Sequence, residues 1–383
     1  MVNLTLLLLL TNFCERLKLY TKETLHCWGG KLGGIIVQRV TIKDIAKAAD
    51  VSLGTVSKVL NGDQSVKEAN RLAVEQAVQA LGYNVNKVAR SLAHKPIKIG
   101  IMLPHVFEEY FDPMVRGIAR VVDSLADYKV SAVYKSYEKF DDDETVAECL
   151  EYFISEDVSG ILLGPFHHIG AYSGVMTALK KHQIPVVLVL SDLEQTQRLA
   201  CISVDARLSG KTAAELASLV MKPHEAAAVF VGNKDVTEHR TKAESFCGRI
   251  QELNCKTIGV FETQDESELA YQLTVSTLRQ YPQLRLIYVA TGNSVAVCRA
   301  ICDHGRQAEV QVIATDLLGG LQNYIKQGIV IGALDQHLEE QGAVAVTTLY
   351  QYLTEGTLES SEIKIAPSVL LQSGMLEQFD THE

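Results

Sequence analysis

The sequence has no long hydrophobic run, no paired cysteines and no general surplus of positive charge. Its longest early apolar stretch, Leu4 to Leu10, falls far short of the roughly 20 residues a membrane span needs. Nothing basic precedes that stretch and no small-residue cleavage site follows, so a secretory leader is not indicated either. The eight cysteines form no C-x-x-C pair and have no histidine at metal spacing, which speaks against a zinc module and fits a reducing cytoplasm. Cys298 and Cys302, four apart in a predicted helix, read as small buried hydrophobes rather than a ligand pair. A net charge of −10 argues against a surface that binds nucleic acid all over. Motifs of catalysis are missing too: there is no G-x-S-x-G, no H-E-x-x-H, and Gly29–Gly34 lacks phosphate-loop spacing. His167-His168, just after a predicted strand, reads as a pair at a cleft rim rather than a catalytic or metal site. The sequence points to no enzyme, and no nicotinamide, zinc or nucleotide cofactor is expected.

What is present is uneven. With 383 residues, 47% apolar and 21% charged, the chain suits two or three globular units with filled cores. Arg39 to Lys95 carries nine lysines and arginines against five acidic residues, a small basic block on an acidic body. That is a local footprint for an anionic polymer. Residues 1–38 show no helical or strand period and read as a non-native or disordered extension, with Val37 as a candidate start.

From Val40 the pattern changes. Thr41 with Asp44 resembles a capping box, and Ile42, Ile45, Ala46 and Ala49 recur at helical spacing. Asp50-Val51 breaks the pattern, and Ser52 is a good N-cap for a second helix, Leu53 to Leu60. Val56, Val59 and Leu60 should face inward there, leaving Leu53, Gly54, Ser57, Lys58 and Asn61 on the opposite face. A third amphipathic helix begins near Ser65/Glu68 and runs to Leu81. Two short helices about a tight turn, the second led by Ser52, Thr55 and Ser57, make a helix-turn-helix: slim enough for the major groove, with Lys58 able to donate to guanine or phosphate.

The string V-T-I-K-D-I-A-K-A-A-D-V-S-L-G-T-V-S-K-V-L-N (Val40 to Asn61) closely resembles the head of the lactose-repressor (LacI/GalR) family of bacterial regulators. The resemblance continues through G-Y-N-V-N-K-V-A-R-S-L-A (Gly82 to Ala93). It implies that Leu53, Gly54 and Lys58 read bases, while Thr41, Ser52, Thr55, Ser57 and Asn61 hold phosphates or the register. It also implies that residues 85–96 form a hinge helix and linker, folding on DNA, with Leu92 wedged into the minor groove and Arg90 along the backbone. Three departures stand out. Asp50 replaces the turn glycine, Gly54 leaves one reading position without a side chain, and Val85 stands where proline is common.

Beyond Lys95-Pro96 the chain alternates short apolar runs with amphipathic stretches. Candidate strands are 97–103, 129–134, 160–164, 186–189, 226–232, 256–262, 284–289, 311–315 and 329–333, with helical patterns near 114–128 and 266–281. Alternation of this kind means parallel sheets covered by helices. The expected fold is an N-terminal all-α helix-turn-helix head (39–84) plus a two-lobed α/β body (97–383) with parallel sheets. The body's resemblance is to the periplasmic-binding-protein-like fold of the same family.

Ligands of such folds sit at the carboxyl ends of strands, which singles out Tyr110 or Phe111, Ser191-Asp192, Asp316 and Asp335-Gln336. Carboxylates, an amide and an aromatic face suit a polyhydroxylated ligand, and the A-T-D and L-D-Q segments resemble sugar contacts of this fold. In the register set by Phe246, Lys242 takes the place of the family's effector-binding arginine, and Arg240 lies two residues early. Lysine is not an equivalent fork. Thr291 to Asn293 reads T-G-N instead of the commoner N-D, so a carboxylate contact is expected to be missing there. The resemblance implies a cytoplasmic homodimer on double-stranded operator DNA, with pairing into tetramers open. It would repress a carbohydrate-utilisation operon under control of a sugar or sugar phosphate. A corepressor such as a nucleobase stays open, and a transport-type solute-binding protein is disfavoured by the DNA head.

Overall fold

The computed structural model describes residues 42–60, 63, 65–81, 95–105, 108–137, 143–165, 177, 179–192, 197–222 and 225–380. The chain divides between residues 87 and 88 into two compact units. Thr41, Asn61, Arg90, Leu92, His167-His168, residues 1–38 and most of the 85–96 hinge lie outside the described residues.

In the first unit, α1 (Ile42–Ala48), α2 (Leu53–Leu60) and α3 (Glu68–Ala80) pack on one another. Helices of seven and eight residues are marginal in water alone. Here Ile45, Val56 and Val74 are fully buried together with Ala46, Ala49 and Ala77, and this shared core holds them. Asp50 adopts φ 50°, the left-handed turn that its place between α1 and α2 demands.

The second unit holds two six-stranded sheets. The first runs β11-β5-β4-β3-β1-β2, all parallel. Its strands are β1 (Ile97–Pro104), β2 (Val130–Tyr137), β3 (Gly160–Leu163), β4 (Val186–Val189), β5 (Ala200–Val204) and β11 (Glu362–Ile365). The second runs β12-β10-β9-β8-β6-β7, parallel except for the β10–β12 pair. It comprises β6 (Ala226–Val231), β7 (Lys256–Glu262), β8 (Leu284–Val289), β9 (Gln311–Thr315), β10 (Val330–Asp335) and β12 (Ser368–Leu370). Near-continuous burial of β3, β4, β5 and β6 is what parallel strands covered on both faces require. The helices are α4 (Glu108–Ser124), α5 (Asp143–Ser155), α6 (Ala206–Val220), α7 (Thr237–Glu252), α8 (Ser267–Gln280), α9 (Ser294–Asp303), α10 (Gln322–Lys326), α11 (Leu338–Glu355) and α12 (Gln372–Asp380).

The chain passes between the lobes three times: after β5 into α6, after β10 into α11, and from β11 to β12. Three expectations need correction. The strands β5, β11 and β12 are additional: β5 is a fully buried five-residue run holding Cys201 and Ser203, whereas β11 alternates exposed charges and β12 is three residues long, so that only their partners make those two strands. The first body helix starts at Glu108 rather than near Met114, and it continues through Pro113, which leaves one carbonyl of the turn before it without the usual helical donor. The second strand continues to Tyr137, paired with Pro104 across β1. Cys298 is fully buried in α9, in the core of the second lobe. Among the described residues, no three His, Cys, Asp or Glu side chains converge as a metal site needs, and no helix is long and apolar enough to cross a membrane.

Candidate DNA interface and ligand cleft

The head offers one exposed polar face. Ser52 caps α2: its Oγ accepts the Thr55 N–H at 3.1 Å and lies 2.9 Å from the Thr55 hydroxyl. Val56 turns into the core, so Leu53 (47% exposed), Gly54, Ser57 and Lys58 lie on the outer side, as their helical spacing requires. Lys58, one residue after Ser57, stands free of the core on that face. The N-terminal turn of α2 also presents backbone N–H groups, the local positive end to which phosphates bind.

In the body, a cavity of about 660 Å³, counting its open mouth, lies where the strands of both sheets end. Its wall includes Tyr110, Phe111, Ser191, Glu238, Lys242, Asp265, Thr291 and Gln336. Left-handed residues cluster here: Leu190, Gln264, Asp265, Asp316 and His337 all have φ between 51° and 70°. Each follows a strand, and this conformation ends the strand abruptly; after Leu190 and Gln264 the next residues, Ser191 and Asp265, line the cavity. Outlying backbone of this kind often gathers at binding sites.

A buried chain of hydrogen bonds runs along the floor. Lys242 Nζ donates to Gln336 Oε1 at 2.6 Å, and Gln336 Nε2 donates to Asp316 Oδ2 at 2.6 Å and to the Tyr110 hydroxyl at 2.9 Å. The Gln336 backbone N–H donates to the other Asp316 oxygen at 2.8 Å. Burial raises the Asp316 carboxyl to a pKa of about 6, outweighing the Gln336 bonds and the Lys242 charge. Burial also lowers the Lys242 ammonium, against the pull of Asp316, Glu238 and Asp265. Since Tyr110 belongs to the first lobe and Lys242 and Asp316 to the second, Gln336 ties the two together. Glu238 does the same from the amino end of α7. It accepts from the Ser191 hydroxyl and from the Asp192 backbone N–H at 3.1 Å, and Lys364 Nζ lies 3.7 Å away.

The sequence-derived candidates divide. Phe111, Lys242 and Gln336 line the cavity, and Asp316 stands behind Gln336 and fixes it. Arg240 does not line it: Glu238 and Lys242, four apart, share the cleft face of α7, and Arg240 between them turns away to the Lys234 carbonyl at 3.0 Å. The Asp192 carboxylate is also absent from the wall, because Arg198 binds it through two guanidinium nitrogens. Two charged wall residues escaped the sequence reading. Glu238 was signalled by its spacing from Lys242, and Asp265 by its place after β7. The carboxylate missing from Thr291–Asn293 enters from the loop after β7, two strands away across β6, since the Thr291 hydroxyl donates to Asp265. Gly232 makes room for it, for a Cβ there would lie 2.2 Å from the Asp265 carboxylate.

A helix-turn-helix head on a two-lobed, cleft-bearing body defines a ligand-controlled DNA-binding regulator. Residues 41–86 match the family described as bacterial regulatory proteins, lacI family, and residues 99–357 match the periplasmic binding protein domain. The chain belongs to the lacI family of transcription regulators. It is 26% identical over 333 residues to catabolite control protein A of Priestia megaterium, covering 85% of this chain and 96% of that protein. Among solved structures, a putative LacI transcriptional regulator from Bacteroides fragilis superposes with a TM-score of 0.64 at 20% identity, over 76% of this chain and 100% of that one. A glucose-galactose binding protein from Geobacillus stearothermophilus superposes with a TM-score of 0.66 at 17% identity, over 73% and 99%.

Proposed function

We propose that the chain represses a carbohydrate-utilisation operon from the cytoplasm, as a homodimer whose operator affinity is set by a sugar in the body cleft. In this reading residues 39–84 bind DNA, 85–96 form the hinge, 97–383 sense the ligand and dimerise, and residues 1–38 take no part. The observation that carries it is the cleft wall: carboxylate, amide, lysine and hydroxyl groups converge beside Tyr110 and Phe111, the mixture a polyhydroxylated ring requires. The sugar-binding protein that shares the body's fold is consistent with such an occupant.

Two-fold symmetry of a dimer would present two copies of α2 to half-sites of a near-palindromic operator. Ligand and operator are then coupled by about 1–3 kcal/mol, a roughly 5–150-fold change in operator affinity. The test is a genomic footprint followed by anisotropy titration of the recovered duplex, with and without sugars. Lys58→Ala should weaken operator binding by about 1–3 kcal/mol, one lost base contact. No preference for any duplex over random competitor would refute the reading.

A further inference from the structure

We propose that the cleft is built for an uncharged polyol and turns away phosphorylated sugars. The inference rests on the cleft being the sensor's ligand site, and it concerns the charge that the wall presents.

The wall carries two carboxylates, Glu238 and Asp265, and a third, Asp316, lies one hydrogen bond behind Gln336. Against these stands, among the described residues, one ammonium on the wall, Lys242, which is 3% exposed and already donates to Gln336 Oε1. Burial further weakens its hold on a proton. Of the other nearby cations, two guanidiniums are directed elsewhere and one lysine is already paired with Glu238. Arg240 binds the Lys234 carbonyl, and Arg198 binds Asp192 and the Ser361 carbonyl. Lys364 lies 3.7 Å from Glu238 and donates to the Ser203 hydroxyl at 2.8 Å. His239, also on the wall, accepts the Asn233 N–H through Nδ1 at 3.2 Å, which leaves a neutral ring with a single N–H, at Nε2, and no charge to set against an anion.

A phosphate dianion in this cavity would lose its water, meet two carboxylates and, among the described residues, find no guanidinium fork. Tight phosphate sites place Arg, Lys or a helix amino end on the oxygens. The amino end of α7 beside the cavity carries the Glu238 carboxylate in its first turn, and the amino end of α9, just after Thr291 and Gly292, carries no cationic side chain there. Sugar hydroxyls can offset their desolvation on the same wall. They donate to carboxylate oxygens, and a ring face can lie against Phe111, which is set edge-on to Tyr110 at 5.0 Å between centroids. Asp265 is placed to receive them, held by Thr291 on one side and by the space above Gly232 on the other.

The experiment is calorimetric titration of the full chain with D-glucose, D-galactose, D-ribose, L-arabinose and myo-inositol, and with the monophosphate of each. A parent sugar should bind at least about 30-fold more tightly than its phosphate, with an affinity that changes less than about two-fold between low and high salt, as a neutral ligand's must. Asp265→Asn should weaken the parent sugar by at least about 10-fold and narrow the gap to its phosphate, with the thermal midpoint of the free protein recorded alongside. Salt independence needs no variant, so a misfolded substitution does not remove the test. A phosphate that binds as well as or better than its parent sugar overturns the charge rule and leaves the cleft's role as sensor intact. Binding that ignores Asp265→Asn in a folded variant also overturns it. Failure of every sugar and every phosphate to bind overturns both the rule and the sensor reading.

Discussion

Replacing Asp316 by asparagine tests whether a buried carboxylate underlies the cleft floor. Asp316 is 7% exposed, and burial lifts its pKa from 3.8 to about 6 although both oxygens accept from Gln336. That difference corresponds to about 3 kcal/mol between the protonation states. The folded protein holds this proton more tightly than the unfolded chain does. Asp316 therefore favours folding most below about pH 4, and the contribution is lost as pH rises through about 6. Asparagine has one acceptor oxygen instead of two, so Asp316→Asn leaves one Gln336 donor unmet, an offset that does not vary with pH. Urea unfolding followed by circular dichroism, at about pH 4.5 and about pH 7, separates the two effects. Between those values wild type should lose about 2 kcal/mol relative to the variant. A gap that stays constant over that interval would show that Asp316 titrates normally, and the argument from burial would fail.

Ser52→Ala removes the N-cap of α2 and should cost about 1 kcal/mol; hydrogen exchange in the full chain checks it, and undiminished protection of the α2 amides would contradict the cap. Gly210→Ala places a Cβ 2.2 Å from the Lys242 carbonyl, forcing α6 and α7 apart. It should destabilise the body by about 1–3 kcal/mol, read as a lower melting temperature and weaker ligand binding together; an unchanged melt would mean the helices yield freely. Glu238→Ala removes the carboxylate that accepts from Ser191 and Asp192, at a cost of about 2–5 kcal/mol to the closed arrangement. Small-angle scattering of the free protein should then show a larger radius of gyration, and an identical profile would refute the bridging role.

Much of this was local and therefore readable along the chain. The Ser52 cap, the left-handed Asp50 turn and the outward face of α2 follow from helical period and from the chemistry of single residues, which no distant partner alters. Alternating apolar runs announced the parallel sheets, because a strand buried on both faces carries its signal in its own composition. The edge strands β11 and β12 carried no such signal, since hydrogen bonds to β5 and β10 are what order them. The cleft shows the same boundary. Strand ends pointed to Phe111, Asp316 and Gln336, but whether a polar side chain there faces the cavity or a neighbour depends on packing. Arg198, six residues along from Asp192, claims that carboxylate, and the turn of α7 carries Arg240 away while bringing Glu238 in. Composition and period thus determined most of the elements and the outward face of α2. The charge and the wall of the cleft were decided only in three dimensions, because electrostatic neighbours are chosen by distance in space rather than by position in the chain.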